Sequence, residues 1–245
     1  MDSKFWFSDE MPAAAGYETL LRPPVVKQDL AAHLNALLHE SQVSTINAAV
    51  EESTLGERAS GLLPHDQFIA DNLDANDVVV LSVGGNDVVL KPSASTVWNM
   101  LLLLMQSTST VAGGPDSAWG MSHFVRLFRD DIERFLGRLT AQTKPRRIIV
   151  CMIYFPCTQP TGGWADRALG LLGYFRDPKK LQTAIQQMFV HAVSKIQVPG
   201  VEVVPFPLFS VLDGSDASLY ECGVEPSARG NEAIALALLE KVTDR

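Results

Sequence analysis

The sequence predicts an α/β fold of three layers, α/β/α, with helices on both faces of one parallel sheet of about five strands. Short β-branched apolar runs, such as Val78-Val-Val-Leu-Ser-Val83, alternate with longer stretches whose apolar residues recur at helical spacing. The connections are long enough to hold a helix, and parallel strands need such crossovers. With 245 residues and 47% apolar composition, the chain can bury one full core, so residues 1–245 are read as a single domain.

Taken in order, Lys4 to Ser8 reads as a short first strand and Gln28 to Glu40 as a helix. Val43 to Val50 reads as a second strand. Glu57 to Asn72 reads as at least partly helical and leads to a third strand at Val78 to Val83. Helices are predicted near Ser95 to Met105 and Ser122 to Thr143, then a strand at Arg147 to Tyr154. A helix from Pro178 to Ile196, a strand at Val201 to Phe206 and a final helix from Ala228 to Val242 complete the pattern. No internal repeat is present.

The formal charge is -8 and no basic block occurs, which removes the electrostatic footprint of a nucleic-acid binder. No stretch approaches the ~18 apolar residues of a membrane span; the longest, Val97 to Met105, reads as a buried helix or a pocket wall. The start has no basic segment followed by a long apolar one, and three cysteines (Cys151, Cys157, Cys222) are odd in number without paired metal-ligand spacing. A reducing, cytoplasmic setting and a small-molecule partner are therefore expected.

The loop after the third strand carries the chemistry. Gly84 and Gly85 permit unusual backbone angles and close approach of a ligand, while Asn86 and Asp87 add an amide and a carboxylate. Ligands of parallel sheets sit beyond the carboxyl ends of the strands, so the Asn86 amide is expected to project into a cavity there.

These residues resemble a known family. Gly84-Gly85-Asn86-Asp87 is similar to the Gly-x-Asn-Asp block of the SGNH (GDSL-type) hydrolases. Asn47 to Thr54, with Glu52 in the glycine position, is similar to the family's Asn-x-x-x-x-Gly-x-Thr block. Gly223-Val-Glu225-Pro226-Ser227, followed by Gly230 and a helix, resembles the closing Asp-x-x-His-Pro-Asn block. The resemblance spans nearly the whole chain in the right order. It implies a flavodoxin-like sheet and ester or acyl hydrolysis: a serine at the end of the first strand attacks, a histidine oriented by an aspartate takes its proton, and an oxyanion hole holds the charge. Asn86 matches the oxyanion-hole asparagine, Asp87 is expected to brace the loop, and Gly84, Gly85 and Asp9 are expected around the substrate.

The triad carries over incompletely, because Glu225 stands in the histidine position and Cys222 in the aspartate position. Two registers compete for the nucleophile. Asp2-Ser3 imitates the family's Asp-Ser but needs an upstream strand. Ser8-Asp9-Glu10 keeps Lys4 to Phe7 as that strand, with Glu10 in the serine position or Ser8 as a displaced nucleophile. In the second register Glu10, Glu52 and Glu225 would converge near Asn86. Crowded carboxylates raise at least one pKa or recruit Mg²⁺, Mn²⁺ or Ca²⁺; otherwise no cofactor is expected. The five histidines lie outside the closing block, His65 being the nearest stand-in. Ser107 to Ser117 and Thr161 to Asp166 read as loops able to cover the site, and with Leu101 to Met105 they favour a partly apolar substrate. Three readings stay open: an SGNH-type hydrolase, a lyase, isomerase or cyclase working through the carboxylates, and a binding protein on a retired hydrolase fold.

Overall fold

The computed structural model describes residues 10–12, 25–41 and 43–243. In chain order, β1 (Glu10–Pro12) pairs antiparallel with β2 (Val25–Lys27). Helix α1 (Leu30–Leu37) is N-capped by the Asp29 carboxylate, which accepts from Ala32 N–H at 2.8 Å. Helix α2 (Pro64–Asn72) starts on a proline, whose fixed φ suits a first helical position. Next come β3 (Val78–Ser82), α3 (Gly85–Val89), α4 (Ala94–Leu104), α5 (Thr108–Ala112), α6 (Met121–Arg126) and α7 (Ile132–Leu139), leading to β4 (Arg147–Met152). Helices α8 (Ala165–Leu171) and α9 (Pro178–His191) precede β5 (Glu202–Pro207), and a hairpin of β6 (Tyr220–Glu221) and β7 (Glu225–Pro226) leads into α10 (Ala228–Thr243).

The chain forms two compact units from interleaved segments. The unit made of residues 48–153 and 172–209 holds a parallel sheet in the order β3-β4-β5. In the central strand, Ile148 to Met152 are each at most 2% exposed, as a strand covered on both faces requires. Proline cannot donate to a ladder, which fits Pro205 and Pro207 of β5, paired on one side with β4. Between α6 and α7 one turn widens to a π-helix at Leu127–Asp131, and its Phe128 is fully buried. The other unit combines residues up to 47 with 154–171 and 210–245. Within it α1 lies against α10, burying Leu34 and Leu38 with Ile234, Ala235 and Leu238.

The α/β class and the parallel sheet are as expected, and crossover helices on a parallel sheet are consistent with three layers. The strand number is not: among the described residues the parallel sheet has three strands, not about five. The expected first strand, Lys4 to Ser8, lies outside the described residues. Residues 43–50 form no strand, because Val43, Ile46 and Val50 are 51, 76 and 49% exposed and bury no face. The Asn35 side chain instead takes a neighbouring strand's part, donating to Thr45 O at 2.9 Å and accepting from Thr45 N–H at 2.6 Å. The expected loop at Ser107 to Ser117 contains α5, capped by the Ser107 hydroxyl. The connection opening at Thr161 runs into α8.

Candidate active site

Strand β3 ends one residue short of Gly84, which takes φ +94° and caps α3. A Cβ there would lie 2.6 Å from Cε1 of Phe128, so glycine is required both for its angle and for the aromatic ring held by the π-turn. The motif read as a loop is therefore the start of a short helix, with Asn86 and Asp87 in its first turn.

Two side chains of that turn grip the segment 53–56. The buried Asp87 carboxylate accepts from Leu55 N–H through one oxygen and from Gly56 N–H through the other, both at 2.9 Å. Asn86 Nδ2 donates to Ser53 O at 3.0 Å. Contact with a carbonyl identifies Nδ2 as the amide nitrogen, which carries a second hydrogen besides the one used. Asn86 is half-buried, and the apolar cavity nearby is lined by Val88 of the same helix rather than by Asn86.

The gripped segment is itself tightly satisfied. Thr54 N–H donates to Glu57 Oε2 at 2.9 Å, and Glu57 N–H donates to Thr54 Oγ1 at 3.1 Å, a reciprocal capping box. Four successive amides, Thr54 to Glu57, thus end on side chains. The bond from the Thr54 amide, followed by that from Lys91 (Nζ to Oε1, 3.2 Å), holds the Glu57 carboxyl below its ordinary pKa. Beneath it Arg58 is buried, forked onto Asp66 at 2.8 and 3.0 Å, with Thr54 O at 2.7 Å and the Phe135 ring at 5.2 Å. His65 Nε2 sits 2.8 Å from Arg58 Nη2, so this histidine belongs to the arginine network and not to a triad. Sequence reading missed this support; the Thr54-x-x-Glu57 spacing was its one legible signal.

Glu52, in the position where the resembling family has glycine, takes φ +61°, a left-handed conformation that costs a side-chain-bearing residue about 1–2 kcal/mol. It directly precedes Ser53, whose carbonyl receives Asn86. The structure thus brings Gly84, Gly85, Asn86 and Asp87 together with the Glu52–Gly56 turn.

The other expected residues belong to the other unit or fall outside the described residues. Glu10 opens the antiparallel β1–β2 pair. Ser3, Ser8 and Asp9 lie outside the described residues. Glu225 sits in β7 opposite Glu221, and Glu10 and Glu225 both belong to the unit that does not contain Asn86. Near Glu225, Tyr154 donates its hydroxyl to Val224 O at 2.7 Å. Burial first, then the charges of Glu225 and Tyr220, push the Tyr154 pKa well above its ordinary value. Cys222 at φ +50° and Gly223 at φ +78° turn the hairpin, and Ser227 Oγ accepts from Gly230 N–H at the start of α10. All three cysteines are free, Cys151 and Cys157 buried and Cys222 half-buried. Among the described residues, no group of three or more His, Cys, Asp and Glu could hold a metal ion. No described helix is long and apolar enough to cross a membrane.

No protein-family profile matches the chain, and no curated protein matches it. Among solved structures it is similar to one from Streptococcus pneumonia described as "a putative platelet activating factor", at 16% identity and a TM-score of 0.46, covering 85% of this chain and 77% of that one.

Proposed function

We propose that the chain is an SGNH-type acyl hydrolase that cleaves an ester or acyl group of a small, partly apolar substrate, with Asn86 Nδ2 and the Glu52 backbone N–H as oxyanion donors. One observation carries this reading. The residue in the family's glycine position keeps a glycine-like φ, and the next residue's carbonyl is the partner of the Asn86 amide, so the two resembling blocks meet in space.

A nucleophile adds to the acyl carbon, the carbonyl oxygen becomes an oxyanion, and its collapse expels the alkoxide, which leaves with a proton as the alcohol; where a serine attacks, water then adds to the acyl-enzyme, releasing the acid and restoring the hydroxyl. Donors held beforehand, here by Asp87 and the Arg58 network, stabilise that charge without reorganising. The sequence offers Ser3, Ser8 and Glu10 as candidates for the attacking or base group.

The test is turnover of p-nitrophenyl acetate and butanoate by the full chain, with fluorophosphonate labelling and peptide mass spectrometry to find the nucleophile. Asn86→Ala should lower kcat by about 10²–10³ with little change in KM. No turnover and no labelling, or an Asn86→Ala variant as active as the parent, would end the proposal.

A further inference from the structure

We propose that the outer face of α4 is a dimerisation surface, on which a second copy of this chain packs its own α4 antiparallel about a twofold axis. At about 100° per residue, Val97, Trp98, Leu101 and the capping Met105 fall on one side of the helix. All four are exposed, Trp98 by 62% and Met105 by 84%. The opposite side is covered by the chain itself, and Thr96 and Leu103 there are buried. A helix that is apolar on both sides belongs in a core, so half of α4 lacks the cover its composition demands. Trp119, 72% exposed, runs alongside: Gln106 donates from Nε2 to its carbonyl and accepts its N–H through Oε1, both at 2.9 Å. Gly120 follows at φ +84° and packs so closely on Asn99 O that no Cβ fits.

Charge and area select the occupant. Residues 92–115 contain no Asp, Glu, Lys, Arg or His, in a chain whose formal charge is -8. Two copies repel through most of their surface, and along α4 they meet without opposing like charges. The same helix does not suit a lipid surface, because interfacial helices carry Lys and Arg on their polar side and an anionic chain is repelled by anionic lipid. At their exposures Trp98 and Trp119 present about 300 Å², and Val97, Leu101 and Met105 bring the apolar total to about 500 Å². A standard interface covers about 800 Å² on each partner, of which about 450 Å² is apolar, so the patch has the area a stable dimer needs. A twofold interface must complement itself. With the axis at Leu101, in the middle of the stripe, Leu101 meets its own copy while Val97 and Trp98 face the partner subunit's Met105, a thioether on an aromatic ring.

The experiment is analytical ultracentrifugation of the full chain over a dilution series. The parent should sediment as a dimer that dissociates reversibly on dilution. Trp98→Ala should raise the dimer Kd by about 30-fold or more, as for a buried aromatic anchor. Leu101→Asp, which sets two like charges against each other at the axis, should give a monomer, whereas Phe68→Ala, at a half-exposed ring on α2, should leave the dimer unchanged. Circular dichroism checks that each variant folds; if Leu101→Asp does not, Trp98→Ala decides alone. A parent that stays monomeric at every concentration, whether free or carried up with phosphatidylcholine vesicles in flotation, overturns the proposal. So does a dimer that the folded α4 variants leave intact, or that Phe68→Ala weakens equally.

Discussion

Asp87→Ala should loosen the Asn86 turn more than any other single change in it. The substitution removes two hydrogen bonds to a carboxylate, each worth about 1.5–3 kcal/mol. Their two donors fare differently. Gly56 is exposed and its N–H can turn to water, whereas Leu55 is 5% exposed and its N–H is left unpaired. Relief from burying the carboxylate offsets part of the loss, so the net cost is about 3 kcal/mol. For a chain of this length that lowers Tm by about 6–12 °C. Asp87→Asn keeps one acceptor oxygen and should cost about 2 kcal/mol, since its NH₂ group faces a backbone donor. Urea denaturation followed by circular dichroism measures both, as a shift in midpoint at constant slope. A loss below about 1 kcal/mol for Asp87→Ala would mean that the segment 53–56 is held by something else.

Three further outcomes follow from the same segment. Arg58→Met should cost about 3–5 kcal/mol by leaving the Asp66 charge buried without its guanidinium, with only Leu63 N–H and His65 beside it, and adding Asp66→Leu should recover part of it in denaturant melts; no recovery would show that packing, not charge, is at stake. At position 52 glycine should be about 1 kcal/mol more stable than alanine, the reverse of an ordinary site, because φ is +61°; equal melting of Glu52→Gly and Glu52→Ala would remove the strain argument. The folded pKa of Glu57 lies below its ordinary 4.5, so its contribution is present above that pH and is lost as pH falls through the folded value. The stability gap between the parent and Glu57→Gln should thus be constant near neutrality and close in acid, as melts across that range will read; a gap that widens in acid would contradict the assigned bonds.

Local pattern was sufficient where one residue type answers one local demand. The Val78 run, the buried Ile148 to Met152 strand, the helix before Glu40 and the C-terminal helix were all legible from period and branching. Gly84 and Asp87 were legible for the same reason, since a turn that needs positive φ and an acceptor limits the choice of residue. Residues 43–50 misled because β-branched residues satisfy a strand pattern whether or not a face exists to bury them, and here none does. Ser107 to Ser117 misled because its serines and threonines suit a loop, yet Ser107 caps a short helix.

What the sequence determined by itself is the α/β class, the parallel pairing of its strands and the Gly-Gly-Asn-Asp turn after β3, because each depends on short-range spacing along the chain. Only the tertiary structure decided that Asn86 meets Ser53, that Asp87 clamps Leu55 and Gly56, and that Arg58 and His65 lie beneath them. The Asn86 and Asp87 contacts join residues about thirty positions apart, and no local preference encodes such a pairing.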